Sequence, residues 1–240
     1  MNNPNFNNSL PPSPKNPAKT ISTAYRAQSL AVRDNKTADP RLFVNALQPW
    51  IDSCSLNNSY WRPVSKAMKI PPSLKPTQYG WSFRKYAPIS SDEFSRNAAD
   101  PTNIYLLRMA DVYLLYAEAN INAGDNVTGL EYINKVKRRA YGYPINGVSP
   151  VDYRSLSGAT SATDPKLKNS PLYYERWAEL FNEGHWWFDV CRWRLGSSEA
   201  SFFESTIVNG PLHWNDKSYS WPIPNYEIIT NPNIQQNPGY

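Results

Sequence analysis

Apolar positions fall at helical spacing in three stretches of this chain and follow no single period ahead of them. Leu107, Ala110, Leu114, Ala117 and Ile121 recur at alternating steps of three and four, as one apolar helix face requires. Arg108, Asp111, Leu115 and Glu118 form the row beside it. Asp100 suits an N-cap, Pro101 sits at the first helical position where its missing N–H costs nothing, and Gly124 supplies a left-handed stop. The spacing therefore predicts a helix between Asp100 and Gly124. A second helix is predicted from about Thr128 to Ala140, with Leu130, Ile133, Val136 and Ala140 inward. The short turn Gly124-Asp125-Asn126 makes the pair an antiparallel hairpin of tetratricopeptide-like size.

The third stretch is LYYERWAELFNEGHWWFDVCRW, Leu172 to Trp193. Read as a helix, it sets Tyr173, Trp177 and Leu180 on one face and Glu175, Glu179 and Glu183 on another, at steps of four. Gly184 breaks it. Beyond the break, Trp186, Val190 and Trp193 are apolar, whereas His185, Asp189 and Arg192 are polar. This pattern predicts a second hairpin, closed by Gly196, with another short helix from Ser198 to Ile207. Trp177, Trp186, Trp187 and Trp193 are expected in its core, because tryptophan buries a large area wherever it can.

Elsewhere the pattern predicts loop. Residues 1 to about 20 are rich in Asn, Pro and Ser. A short helix is a candidate between Pro40 and Ile51. Tyr143 to Ser170 is polar and long enough to suggest a functional loop or a family-specific insertion. The prolines of the closing WPIPNYEIITNPNIQQNPGY argue against a regular helix there and for an extended strap.

Composition narrows the function classes. Charged residues make up 19% and aromatics 14%, with 22 prolines, which points to a loop-rich chain presenting aromatic surface. The net charge of +5 is modest, and the basic run Lys135-Lys137-Arg138-Arg139 reads as a solvated helix face, so no nucleic-acid partner is expected. No apolar run approaches the roughly 20 residues that span a bilayer. The N-terminus has neither the charged nor the apolar region of a secretory signal, suggesting a cytosolic chain or one that starts within a longer protein. Cys54 and Cys191 sit in no CxxC pair; they could pair with each other or stay free, Cys191 reading most simply as a small buried residue.

Glu175 and Glu179, or Glu179 and Glu183, lie one helical turn apart, so an acid and a base could share a cleft. Pairing with Arg108, Arg138 or Arg139 of a packed neighbour explains them better. His185 and Asp189 have metal-ligand spacing but lack a third ligand, and Cys191 has no partner base. No Gly-rich phosphate loop and no GxSxG is present. The expectation is a protein with no catalytic residues, no metal and no cofactor. Aromatic rings on proline-stiffened loops remain: Trp50, Tyr60, Trp61, Trp81 and Tyr86. Their flat apolar faces suit stacking against the C–H face of a sugar ring, which makes them the expected glycan-binding residues.

Several motifs in order resemble one family. NIYLLRMADVYLLYAEANINAG followed by LEYINKVKRRAYG is similar to the helix pair of the SusD/RagB family. YYERWAELFNEGHWWFDVCRW resembles its central motif, and WPIPNYEIITNPNIQQNPGY its closing segment. Asp39-Pro40-Arg41 and Arg84-Lys85-Tyr86 resemble shorter upstream signatures. The resemblance implies a mainly α fold: tetratricopeptide-like antiparallel helical hairpins with long irregular loops and an extended C-terminal strap. Residues 1–99 would be the loop-rich part of the ligand-binding region and 100–240 the C-terminal helical region, the family's first half lying upstream.

The resemblance also implies a function. Such a protein binds oligosaccharide or polysaccharide at the outer face of the bacterial outer membrane and passes it to a SusC-like TonB-dependent transporter. It is not an enzyme, and it meets the membrane only through an upstream lipid anchor. The alternatives are a tetratricopeptide-like protein-interaction scaffold and a peptide-binding uptake component of the RagB type. Arg108, Asp111, Glu118, Glu175, Arg176, Glu179, Glu183, Asp189 and Arg192 are expected to be internal ion-pair partners that clasp the hairpins together.

Overall fold

A short run of helices surrounds a set of buried ions rather than a purely apolar centre. The computed structural model describes residues 31, 33–35, 38–47, 53–55, 61–63, 82–83, 85, 105–206 and 214–240. The chain divides into two compact units, Met1–Glu183 and Gly184–Tyr240.

In the first unit, a one-turn helix α1 (Arg41–Asn45) leads into strand β1 (Ala46–Leu47). Strands β2 (Ser53–Ser55), β3 (Trp61–Pro63) and β4 (Ser82–Phe83) follow. They form two small antiparallel pairs, with Ala46 opposite Phe83 and Cys54 opposite Arg62. The principal hairpin is α2 (Met109–Asn122) and α3 (Asn126–Ala140). Ala110, Leu114 and Ala117 of α2 and Ile133 and Val136 of α3 are buried, which is the stripe that the spacing predicts. Gly124 closes α2 at φ +91°, where a side chain would be strained, and Asp125 then caps α3 by accepting from the Thr128 N–H at 3.0 Å.

The start of α2 differs from expectation. Asp100 and Pro101 lie outside the described residues, and the helix begins at Met109. Arg108 is extended (φ −138°, ψ 161°), and Leu107 is exposed instead of opening the buried stripe. Arg108 is the N-cap, where the backbone is ordinarily extended, and its guanidinium bonds Glu179 and Glu183.

Helix α4 (Pro171–Glu179) packs on α1, α2 and α3. The glutamates lie inside, where internal ion-pair partners are expected, and the aromatics are less buried than expected. Glu175 and Glu179 turn inward at 0% and 4% exposure, along with Tyr174 and Ala178, whereas Tyr173 and Trp177 stay half-buried. The carboxylates can be buried because cations from three other positions, Arg41, Arg108 and Arg139, converge on them.

The 143–170 segment is irregular, as expected, and well anchored. Asn134 and Tyr153 exchange hydrogen bonds: the Tyr153 N–H donates to Asn134 Oδ1 at 2.8 Å and Asn134 Nδ2 donates to the Tyr153 carbonyl at 3.0 Å. Leu167 is buried at 2% exposure. These contacts satisfy loop backbone groups that would otherwise lie buried and unpaired.

The second unit holds α5 (His185–Arg192) and α6 (Gly196–Thr206), a 3-10 turn (Asp216–Tyr219) and α7 (Asn225–Thr230). Helix α7 corrects the expectation of no helix in the closing segment. Its six residues fit between Pro224 and Pro232, and a proline at the helix entrance costs no hydrogen bond. Gln236 then clamps the segment, accepting from the Ile223 N–H at 2.8 Å and donating to the Ile223 carbonyl at 3.0 Å. The tryptophans are less buried than expected. Trp186 and Trp193 pack edge to face but remain half-buried, and Trp187 is 42% exposed. Trp214 takes the central place in an aromatic stack, against Trp187 at 5.5 Å and Tyr219 at 5.1 Å.

Candidate functional site

Two features of the first unit carry chemistry: a buried ion cluster and a pocket beside it. The cluster begins at Asp39-Pro40-Arg41, where a tight turn folds Arg41 back onto Asp39. The Arg41 N–H and Nε donate to Asp39 Oδ1, each at 2.9 Å, and Nη2 to Oδ2 at 2.6 Å. Arg41 Nη1 reaches α4 and donates to Glu175 Oε2 at 2.7 Å. Tyr153 donates its hydroxyl to Glu175 Oε1 and Tyr174 donates its hydroxyl to Asp39 Oδ2, both at 2.8 Å.

One turn on, Glu179 accepts from Arg108 at 2.6 Å and from Arg139, and Glu183 accepts from Arg108 at 2.7 Å and from Lys85. Burial by itself would raise the carboxyls of Asp39, Glu179 and Glu183, but these partners hold all three below the usual carboxylate range. Glu175 is wholly enclosed, and burial raises its carboxyl against the pull of Arg41. Burial beside Asp39 and Glu175 likewise pushes the Tyr153 and Tyr174 phenols well up, so both hydroxyls act as donors.

A carboxylate that already accepts from one or more cations has little capacity left to move a proton. The cluster therefore joins α1, α2, α3 and α4 and offers no free acid or base. Among the described residues, no group of three or more His, Cys, Asp or Glu could hold a metal. Arg176 Nη1 donates to Asp111 at 2.9 Å with both side chains buried, and in the second unit Arg192 Nε donates to Asp189 at 2.8 Å. Glu118 sits half-buried on α2. Cys191 carries a free thiol, which burial pushes up and away from the reactive thiolate.

Two partners differ from those expected. Arg138 does not serve the α4 glutamates; it holds Glu131 at 2.8 Å and Asp152 at 2.6 Å, and so pins the 143–170 segment to α3. Arg41, the cation of Glu175, was missed in the sequence because nothing in its spacing points to a helix far along the chain. The motif Asp39-Pro40-Arg41 was its only visible signal.

The pocket lies between the C-terminal half of α3 and this pinned segment, with a volume of about 460 Å³. Lys137 and Tyr141 line it from α3 and its cap; Tyr153, Arg154, Gly158 and Ala159 line it from the loop. The Lys137 ammonium stands 3.4 Å from the centre of the Tyr153 ring. Of the aromatics expected to bind glycan, Trp50, Tyr60, Trp81 and Tyr86 lie outside the described residues. Trp61 is described by its backbone alone, in β3 opposite Ser55.

The model of the SusD family matches residues 5–240. Two SusD-like proteins of Formosa agariphila are similar to the chain, 29% identical over 142 residues and 26% over 146. These matches cover 59% and 58% of this chain but 25% of each relative, so the chain spans about a quarter of the length of the curated relatives it matches. The crystal structure of a SusD-like protein from Bacteroides fragilis superposes with a TM-score of 0.57 at 23% identity, covering 84% of this chain and 39% of that one. That likeness concerns the fold.

Proposed function

Because the chain belongs to the SusD family, we propose that it forms part of a glycan-binding protein of the bacterial outer surface that holds oligosaccharide for uptake without chemically altering it. The family match across residues 5–240 carries this reading. The ion cluster supports it, since its acids are committed to cations and none is left to act on a glycosidic bond. In this reading the bound glycan passes to a SusC-like TonB-dependent transporter, and a lipid anchor of the longer protein holds it at the membrane. Among the described residues, no helix is long and apolar enough to cross a membrane.

Trp61 and Trp81, with Trp50, Tyr60 and Tyr86, supply the stacking faces in this proposal. Calorimetry of the full-length protein against a panel of neutral and acidic oligosaccharides tests it. Binding without release of shorter products is expected. Trp61→Ala or Trp81→Ala should each weaken it by about 1 kcal/mol. Unchanged affinity in both variants moves the site off this loop. Absence of binding to every glycan overturns the reading.

A further inference from the structure

The pocket beside α3 has a property that the aromatic loop lacks: it presents cations without acids to match them. Its one acid is already engaged, because both Asp152 oxygens accept from Arg138, at 2.8 and 2.6 Å. Lys137 is different. Among the described residues its ammonium makes no ion pair and lies instead against aromatic faces, 3.4 Å from the Tyr153 centroid and 5.8 Å from that of Tyr141. Such an arrangement leaves the ammonium in the pocket lining over an aromatic face, with no carboxylate among the described residues to pair with it. Arg154, exposed and likewise without an ion-pair partner among the described residues, adds a second cation to the lining.

We propose that this pocket takes a hexose-sized ligand bearing a carboxylate, an acidic sugar unit, with its acid group on Lys137 and Arg154 and its ring against Tyr141. The carboxylate matches the two cations in charge and hydrogen-bonding capacity. The volume lies inside the ~300–1,000 Å³ usual for small-molecule sites. Tyr141 supplies a half-buried ring with an apolar face and a polar edge, the combination that a pyranose carbon face and its hydroxyls require. The walls are held in place before any ligand arrives. Tyr153 is tied to Glu175 through its hydroxyl and to Asn134 through its backbone, and the loop is fastened by Arg138. Burial lowers the Lys137 ammonium from the ordinary lysine range, partly offset by Glu175 and Asp39 nearby, and a bound anion would relieve that cost.

The inference rests on the carbohydrate reading for the sugar body of the ligand; the choice of an anion stands on the pocket itself. The test is an amide-shift titration of the isotope-labelled 240-residue chain with sodium glucuronate, and with glucose and sodium acetate in parallel at constant ionic strength. Glucuronate should shift Tyr141, Tyr153, Gly158 and Ala159 saturably, and bind about tenfold or more tightly than either comparator. Lys137→Met should remove that preference by a similar factor, and Lys137→Arg should keep most of it; thermal melts of both variants confirm that they are folded. Equal binding of glucose and glucuronate, or unchanged glucuronate affinity in folded Lys137→Met, overturns the proposal. Neutral oligosaccharide bound at other residues with glucuronate silent overturns it too, and leaves the carbohydrate reading standing. Acetate binding at the pocket as tightly as glucuronate, with no glycan bound anywhere, overturns both.

Discussion

Arg41 Nη1 and Glu175 Oε2 lie 2.7 Å apart although 134 residues separate them in the chain. Both side chains are buried, at 8% and 0% exposure, so each charge relies on the other for part of what offsets its loss of water. Arg41 also neutralises Asp39, which makes it the cation on which the joint between α1 and α4 depends.

Replacing Arg41 with Ala should therefore destabilise the chain by about 3–5 kcal/mol, since two buried carboxylates lose their partner together. Glu175→Gln should cost less, because the amide keeps the shape and some of the hydrogen bonds. Urea unfolding followed by circular dichroism measures both. A midpoint for Arg41→Ala equal to that of the parent chain would show that the pair contributes nothing.

Arg176 and Arg192 should behave differently despite standing in the same motif. Arg176 and its partner Asp111 are both about 4% exposed, whereas the Arg192 side chain is 36% exposed and reaches Asp189 within the same helix. Removal of the buried partner leaves Asp111 without its cation, for a loss of about 3–5 kcal/mol. Arg192→Ala should cost about 1 kcal/mol or less. Thermal melts of the two alanine variants decide this, and equal losses would contradict it.

Acid should unfold the first unit by way of α4. The carboxyls of Asp39, Glu179 and Glu183 titrate below their ordinary range in the folded chain, so their contribution is complete above the unfolded pKa values, about 4. It is lost as pH falls through the lower folded values. Glu175 acts in the opposite sense, its raised carboxyl making protonation easier in the folded chain, but it is one group against three. The melting temperature is expected to fall between about pH 5 and pH 3, and Glu183→Gln should make that fall shallower. A flat profile over that range counts against the cluster as a source of stability.

Gly196 should tolerate no side chain. A Cβ at this position would overlap the indole of Trp214, and the Gly196 N–H donates to the Tyr219 hydroxyl at 3.1 Å. Neither aromatic can withdraw without leaving the other, since their rings pack at 5.1 Å. Gly196→Ala is expected to cost about 1–3 kcal/mol through overpacking and to alter the near-ultraviolet circular dichroism of the aromatic stack. An unaltered spectrum with full stability would mean that the ring moves freely.

The α2–α3 hairpin was legible in the sequence, because helix spacing, a glycine stop and a turn are properties of neighbouring residues. So was the family, carried by short motifs that keep their order along the chain. That the aromatics of α4 would be less buried than its glutamates was not. Periodicity sorts Tyr173 and Trp177 from Glu175 and Glu179, but it ranks apolar above charged, and the ranking holds only while a charge lacks a partner. Arg41, Arg108 and Arg139 supply those partners from separate parts of the chain, and their convergence lets the glutamates take the buried positions. The pocket at Lys137 was hidden for the same reason. Its basic run reads as a solvated face until Arg138 turns to Asp152, draws the 143–170 segment over α3, and leaves Lys137 against two aromatic rings. Local spacing determined the helices and the motif order; the pairing of distant charges, which depends on distance in space and on exclusion of water, was decided by the tertiary structure alone.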